Sequence, residues 1–494
     1  MEVEMKNHVV ASLEVSTSSA KCILFSESDG VIAQFSEAYP ADVATGPSQD
    51  PDGIVAAALG VLHRAAQEAD TRGIRVSAIG LTGTWHSLLL LDSERKPLGS
   101  IMTWADVSGA PTVAPMRGDD SFVKSFYRAT GCMVHAMYPV WKWVHLRLTQ
   151  PEYVSRASFL SSQIEYLFER LTGCQGVSRC TASGTGLLNI HTLDWDDDVL
   201  GMAGIRREQL SPLQEAYHTA PLLPETAQAV GLLSGLPVTV GCADGAMNQM
   251  GIGGVQPGTM SMSVGTSGAL RAVHDEPRIP AKPSTWCYYL LEGKRLAGAA
   301  VNNATNCVDW FLSRAGAKAR DASVYEKFSA ETNRVDVDRA PFFMPFLFGE
   351  RCPGWRENRA GGFVGVRAAH DEFDLYHAVL EGVLFSMRQC YEILVEVGGR
   401  PERVIMSGGI TNSREWSQMA ADVFGRELLT TGVSNDSTVG AALVAMQAVT
   451  GGGHAENYSP EITRSLKPHE SACNVYERRY KRYLEYYLRS ASDE

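Results

Sequence analysis

The chain has 494 residues, of which 45% are hydrophobic and 20% charged, and a net charge of −12. That length exceeds what one compact core holds and sets an expectation of two domains or more. The acidic balance argues against a nucleic-acid or anionic-membrane surface, and ten cysteines without a C-x-x-C pair signal neither zinc nor a disulfide framework.

The N-terminus "MEVEMKNHVV" is charged and poor in apolar residues, so no signal peptide is expected, and "HSLLLLDS" is far too short to cross a bilayer. With reduced thiols the ordinary state of scattered cysteines, the expected location is the cytoplasm. From Val9 to Phe35, "VVASLEV", "AKCILFS" and "GVIAQFSEAYP" read as a three-stranded antiparallel meander. "DGIVAAALGVLHRAAQEAD" follows as an amphipathic helix with Ile54, Ala57, Ala58, Val61, Leu62 and Ala65 on one face, and "VSAIGLTG" as a further strand. The order is that of an α/β domain.

The second half repeats the plan. "GTMSMSVGTSGALRAVHDEP" is strand, small-residue turn, strand. "DLYHAVLEGVLFSMRQCYEILVEVG" is a long helix with Leu375, Val379, Val383, Met387, Cys390 and Leu394 on its apolar side, capped by Asp374 or a neighbour. "RVIMSGGITNSREWSQMAADVFGRELL" is a strand, a Gly-Gly break and a helix that buries Trp416 and Met419, and an Ala-rich helix lies within 432–451. The C-terminal "YERRYKRYLEYYLRS" reads as a closing helix with packed tyrosines and solvated arginines.

Val15-Ser-Thr-Ser-Ser-Ala-Lys matches Val264-Gly-Thr-Ser-Gly-Ala-Leu, each between β-like runs. Two domains of one topology would then each present a small hydroxyl-rich hairpin to a shared cleft. Such a turn lets backbone N–H groups approach an anion and adds hydroxyl donors, so an opposed pair suits a polyphosphate. The plainer reading of either turn alone is a Ser/Thr turn that satisfies its own backbone. No G-x-x-x-x-G-K-[ST] occurs, and no G-x-G-x-x-G opens a helix after a strand, which excludes the P-loop and Rossmann patterns.

These segments resemble the FGGY carbohydrate kinases of the actin/hexokinase/Hsp70 superfamily, over nearly the whole chain. "LEVSTSSAKCILF" is similar to the family's first phosphate motif and "SVGTSGALR" to its second. "GCADGAMNQMG" is similar to the segment with the catalytic aspartate, "FLFGERCPGWRENRAGGFVGV" to the signature of the second domain, and "SGGITNSREWSQMAADVFG" to the adenosine motif. "TWAD", "ASGTGLLNIHTLDWD", "GTSGALR" and "VNN" look most like gluconate kinases. The resemblance implies an α/β fold with two domains of duplicated ribonuclease H-like topology and an interdomain cleft. Residues 1–250 would carry the sugar site and catalytic base, and 251–494 the nucleotide.

The resemblance assigns roles residue by residue. Asp244 is the general base toward a sugar hydroxyl, with a helix cap as its plainer reading. Thr17, Ser18, Ser19 and Lys21 would hold phosphate from one side and Gly265, Thr266 and Ser267 from the other. Gly408 and Gly409 would let adenosine lie on bare backbone, with Asn412 beside it and Thr305 nearby. Trp85, His86, Trp104, Asp106 and Tyr138 would line the sugar pocket, aromatic faces covering C–H groups and polar groups taking hydroxyls. For the tryptophans and His86 the plainer reading is core packing. ATP and Mg²⁺ are the implied cofactors, with Glu14 the metal-associated carboxylate.

Three departures from the family pattern stand out. Glu14 replaces an aspartate, Ser16 replaces a glycine and so implies an ordinary turn conformation, and Val107-Ser108-Gly109 lacks the arginine common after "WAD". The last weakens the case for an acidic substrate and keeps a neutral ketose or polyol such as xylulose or ribulose open. A catalytically impaired sugar or nucleotide sensor is the rival from another class, and an Hsp70-type ATPase a third. "DWDDD" reads as a solvated turn, and His135 and His145 have no partner at ligand distance in the sequence. The oligomeric state, homodimer included, stays open.

Overall fold

The computed structural model describes residues 8–314, 322–433 and 435–490. The opening strands form as their alternation predicts: β1 (Val9–Val15), β2 (Ser19–Ser26) and β3 (Gly30–Ala38) make an antiparallel meander. β1 is buried on both faces, and its alternate residues serve two cores. Val9, Ala11, Leu13 and Val15 pack with Ile54, Ala58, Val61 and Leu62 of α1 (Pro51–Thr71), whereas Val10 belongs to the other core. Asp50 caps α1 by accepting from Gly53 N, and Pro51 sits in the first turn, where its missing N–H leaves no bond unmade. The helix returns the chain to β4 (Val76–Gly83), parallel to β1.

A long excursion containing α2 (Pro139–Thr149) precedes β5 (Thr219–Pro221), β6 (Pro237–Thr239) and β7 (Cys242–Ala243). The first sheet is ordered β5-β6-β4-β1-β2-β3, with β7 beside β4. After α3 (Asp244–Gly251) come β8 (Thr259–Val264), β9 (Gly268–His274), β10 (Trp286–Tyr289), β11 (Arg295–Val301) and α4 (Thr305–Arg314). Then follow α5 (Glu372–Gly398), β12 (Arg403–Ser407), α6 (Arg414–Phe424), β13 (Leu428–Thr431), α7 (Asp436–Thr450), β14 (Ile462–Leu466) and α8 (Glu470–Arg489). The second sheet is ordered β10-β11-β9-β8-β12-β13-β14. Strands β3-β2-β1-β4-β6 correspond in order and direction to β11-β9-β8-β12-β13. The repeat seen in two short turns is a duplication of topology.

α7, late in the chain, lies on the first sheet. Ser12 donates to Thr438 O at 2.6 Å, and a Cβ on Gly80 would stand 2.4 Å from Ala441 O. This contact explains the polar run in β1: Ser12 and Glu14 share the face that meets the start of α7. α3 crosses α7 backbone to backbone, since a Cβ on Gly251 would lie 1.8 Å from Asp436 O and one on Gly440 2.1 Å from Met247 O. The two halves of the chain are joined by helices that only glycine lets approach so closely.

Two expectations need correction. The cap of α5 is Asp371, and Asp374 returns its carboxylate to the Asp371 N–H, closing a capping box. In α8 the tyrosines pack as expected, but Arg479 is buried and pairs with Glu381 of α5 at 2.5 and 2.6 Å. A carboxylate inside a buried helix must find a partner, and the apolar periodicity around Glu381 concealed the need. "DWDDD" is a turn whose Asp196 accepts from Val199 N, while Asp194 and Asp197 pair with Arg207 at the surface. All ten cysteines are free, and no helix among the described residues is long and apolar enough to cross a membrane.

Candidate active site

Val15, Gly83 and Ala243 stand in register on β1, β4 and β7. The Ser16–Ser19 turn and Asp244 therefore leave one edge of the first sheet. On the second sheet Ser263 pairs with Ser407, so the Gly265–Ser267 turn and the Gly408–Gly409 break also share an edge.

Ser16 closes its turn by itself. Its N–H donates to Ser19 O at 2.9 Å, its hydroxyl donates to the same carbonyl at 2.8 Å, and it accepts from Ser19 N at 3.2 Å. No left-handed residue is needed, in keeping with serine in place of glycine. The plainer reading thus describes Ser16 well, while Ser18 stays exposed and Thr17 accepts from Trp104 Nε1 at 3.0 Å. Trp104 accordingly braces the turn. Gln49 Nε2 donates to the Ser16 and Thr17 carbonyls at 3.0 and 3.1 Å, and Gln163 links Gln49 to Thr84 at 2.7 and 2.9 Å. This relay, unseen in the sequence, ties the turn to the Trp85-His86 segment. Lys21 lies opposite Glu14 across β1 and β2, with Nζ 3.6 Å from its carboxylate, so it is not simply solvated.

In the second turn Gly265 N donates to Ser267 O at 3.0 Å, and Thr305 N at the start of α4 donates to Gly265 O at 2.9 Å. Thr266 and Ser267 are left exposed. Gly408 has φ of +89°, and a Cβ there would lie 2.5 Å from Val264 O, so no other residue fits. Gly265, Thr266, Thr305, Gly409 and Asn412 line one cavity of about 830 Å³, within the range of small-molecule sites. Tyr376 and Trp416, which helical spacing marks as core, also face it.

Asp244 is the first residue of α3, half-exposed, and accepts from Gly245 N at 2.6 Å. Desolvation pushes its carboxyl up to about 6; Glu14 adds to the rise and Arg271 opposes it. Asp436, at the start of α7, is likewise pushed up to about 6 by burial, with Glu14 contributing. Its Oδ2 accepts from Asn248 at 3.1 Å, and its Oδ1 is buried with no hydrogen-bond partner among the described residues. Glu14 is buried and accepts from Ser437 at 2.9 Å. Three mutually repelling carboxylates thus gather where β1, α3 and α7 meet, although among the described residues no group of three or more His, Cys, Asp and Glu has the arrangement to hold a metal alone.

Beside Asp244 gathers a cluster of aromatic rings. Trp85 donates from Nε1 to Cys180 O at 3.1 Å and packs 4.9 Å from Tyr288. His86 has a left-handed φ of 65° and places Nδ1 2.6 Å from Gly184 O. A carbonyl only accepts, so Nδ1 carries the proton and Nε2 is left an acceptor; burial first, then the charge of Arg351, keeps the ring neutral. Tyr138, at the head of α2, is buried with its hydroxyl 2.8 Å from that of Tyr288. Asp106 is half-exposed and holds Ser108 N at 2.9 Å. Lys142 of α2, absent from the sequence-based set, is buried behind this wall and donates to His86 O at 3.1 Å and to Met137 O. Burial pushes its amine down to about 7 against the pull of Asp106.

The second half of the chain supplies the facing wall. Cys287 N of β10 donates to Gly131 O at 3.0 Å, Tyr289 N to Ser183 Oγ at 3.0 Å, and Arg295 Nε to Ile190 O at 2.9 Å. Below it runs the 350–357 loop, where Arg117 grips Glu357 at 2.8 and 2.9 Å and Trp355 O at 2.7 Å. His135 finds in Glu357 the partner that the sequence did not reveal, at 3.1 Å.

Duplicated sheets, a hydroxyl-rich turn from each, a cavity beside the second turn and a carboxylate between the two sheets are the architecture of the actin/hexokinase/Hsp70 fold. Residues 9–251 match the N-terminal domain, and 260–449 the C-terminal domain, of the FGGY family of carbohydrate kinases. The chain belongs to that family and is a carbohydrate kinase. It is 30% identical to a gluconokinase of Bacillus licheniformis over 451 residues, covering 88% of this chain and 86% of the relative. Among solved structures it is similar to a xylulose kinase of Lactobacillus acidophilus (TM-score 0.91, 26% identity) and a gluconate kinase of the same organism (0.90, 27%), each alignment covering 98% of both chains.

Proposed function

We propose that the protein transfers the γ-phosphoryl group of ATP to a hydroxyl of gluconate. The observation that supports this reading is Asp244 at the head of α3, where the next residue, Gly245, lies against both Trp85 and Arg271. Asp244 takes the proton of the attacking hydroxyl; phosphoryl transfer is loose, so a carboxylate of modest basicity suffices. Thr17, Ser18 and Ser19 on one side, and Gly265, Thr266 and Ser267 on the other, hold the phosphates, while Gly409, Asn412 and Thr305 receive the adenosine. Trp85, His86, Asp106 and Tyr138 orient the sugar.

The acidic set fits a divalent cation. Asp436 has an orphaned buried oxygen, and the charges of Glu14, Asp244 and Asp436 are only partly compensated. Glu14 and Asp436 would hold Mg²⁺, which when bound neutralises charge on the triphosphate. Free thiols throughout fit a cytoplasmic enzyme.

A neutral ketose is the second reading, favoured by Ser108 in the position of an arginine and by the likeness to a xylulose kinase. The test is release of ADP from Mg-ATP with gluconate, xylulose, ribulose, glycerol and erythritol. Gluconate is expected to give the highest kcat/KM; turnover on xylulose above gluconate selects the second reading, and turnover on none leaves a sensor.

A further inference from the structure

Gln49 and Gln163 stand outside the motifs read from the sequence, yet each is only 1% exposed. They lie between the first turn and the segment that carries Trp85 and His86. Gln49 Nε2 divides its two hydrogens between Ser16 O at 3.0 Å and Thr17 O at 3.1 Å. Its Oε1 accepts from Gln163 Nε2 at 2.7 Å, which also makes a longer contact to Ser16 O at 3.5 Å. Gln163 Oε1 in turn accepts from Thr84 N at 3.1 Å and Thr84 Oγ1 at 2.9 Å, and Gln163 N donates to Ser87 Oγ at 3.0 Å. Both ends of the Trp85-His86 pair are thereby held. The backbone of Gln49 also pairs with Ile101, which leads into the Trp104–Asp106 segment, and Trp104 meets the turn again at Thr17 Oγ1. A buried amide needs its polar atoms satisfied, and both side chains here have theirs.

A trans peptide sends its C=O and its N–H in opposite directions. With Ser16 O and Thr17 O both drawn inward to Gln49, the N–H groups of Thr17 and Ser18 face away from the interior. The Thr17 N–H has no partner among the described residues, and that of Ser18 reaches only Ser16 Oγ, at 3.4 Å. Two donors are thus open to an anion. Tight turns of different type differ by a flip of the central peptide, which exchanges an N–H for a C=O and moves little else. A flipped turn would present carbonyl oxygens to a phosphate and repel it. The Ser16 hydroxyl closes the turn but takes neither of these carbonyls; Gln49 takes both.

We infer that Gln49 and Gln163 are positioning residues for phosphoryl transfer: they hold the Thr17 and Ser18 N–H groups toward the γ-phosphate and tie that setting to the segment that orients the acceptor. This role rests on the proposed reading of the turn as one side of the phosphate clamp, and it names the residues that keep the clamp set. Both side chains are too buried to meet a substrate, so each acts through the backbone it holds. Gln49 acts on the turn directly and Gln163 chiefly through Gln49, so the two form a series and not a pair of independent braces.

The test is the single-turnover rate of phosphorylation by Mg-ATP of gluconate, or of xylulose where that is the faster acceptor, with ADP affinity measured by equilibrium dialysis. Gln49→Met and Gln163→Met, close to glutamine in size, are expected to lower the rate roughly ten- to a hundredfold, the worth of a misplaced reacting group. ADP affinity, which draws on the second turn and its cavity, is kept. Gln163→Glu still accepts from Thr84 but offers Gln49 no donor; it turns the Gln49 amide round so that an oxygen faces the turn, and should be slowed as far. The double Met variant should be no slower than Gln49→Met alone, whereas independent braces would multiply their losses. Thermal melting checks that each variant folds; if Gln49→Met does not, the two Gln163 variants carry the test. A merely structural role lowers the melting temperature and leaves the rate per folded molecule unchanged. That result, a rate loss matched by an equal loss of ADP affinity, or a double variant slowed by the product of the single losses overturns the inference and leaves the kinase standing. A wild type that phosphorylates no sugar removes the proposed function and this role with it.

Discussion

Asp244 is asked to be both half-buried and ionised. Desolvation and Glu14 raise its carboxyl to about 6, so at neutral pH the proposed base is deprotonated but with more proton affinity than an exposed aspartate. The deprotonated form is the active one; kcat/KM should therefore rise through about pH 6 and level off above it. Asp244→Asn should lower kcat by about 10²–10⁴-fold, the usual worth of a general base, with ATP affinity kept; initial rates from pH 5 to 8 and equilibrium dialysis measure both. A pH profile unchanged by the substitution would take Asp244 out of the mechanism. Asp244 was readable in the sequence because it sits in one of several ordered motifs. Lys142 was not, because its stretch of sequence is dominated by apolar and aromatic residues and only the fold buries its amine against His86 O.

Among the elements, strands and crossover helices followed from alternation and helical period, because their two faces meet different surroundings. The pocket segments did not, since Trp286 and Tyr288 on β10 alternate like core residues and the excursion between β4 and β5 has no regular period. The crossing of α3 and α7 was equally hidden, as it depends on backbone proximity. Gly440→Ala would put a Cβ 2.1 Å from Met247 O. It should cost roughly 1–3 kcal/mol by overpacking and lower kcat as well, because the displaced helix begins with Asp244; urea midpoints and initial rates check this. In α5, His377 is buried with neither ring nitrogen partnered among the described residues, and burial holds its imidazole down to about 3. The unfolded ring titrates near 6.5, so below that pH the unfolded chain takes up a proton that the folded one refuses. Its contribution is full above about 6.5 and is lost as pH falls toward 3, on the order of 3 kcal/mol by pH 4. His377→Leu should flatten that decline in chemical denaturation, and an equal acid slope in both proteins would contradict it.

At the scale of the whole molecule, the seams between the two halves include the α3–α7 joint, the packing of α7 on the first sheet, the β10 seam to Gly131 and Ser183, and the Arg117–Glu357 clasp. Charge and composition said nothing of these seams, which depend on residues distant in sequence. The seams have a kinetic consequence. Trp85, His86, Tyr138, Tyr288 and Trp355 are buried behind them, whereas Asp106 and Asp244 are partly exposed. With these seams shut, the acceptor has to arrive from the partly exposed side, where a docked nucleotide would stand. Acceptor should therefore enter before donor and the phosphorylated product leave last, giving a compulsory order. In product-inhibition experiments the phosphorylated sugar should then compete with the acceptor alone, and a random-order pattern would mean a back entrance exists.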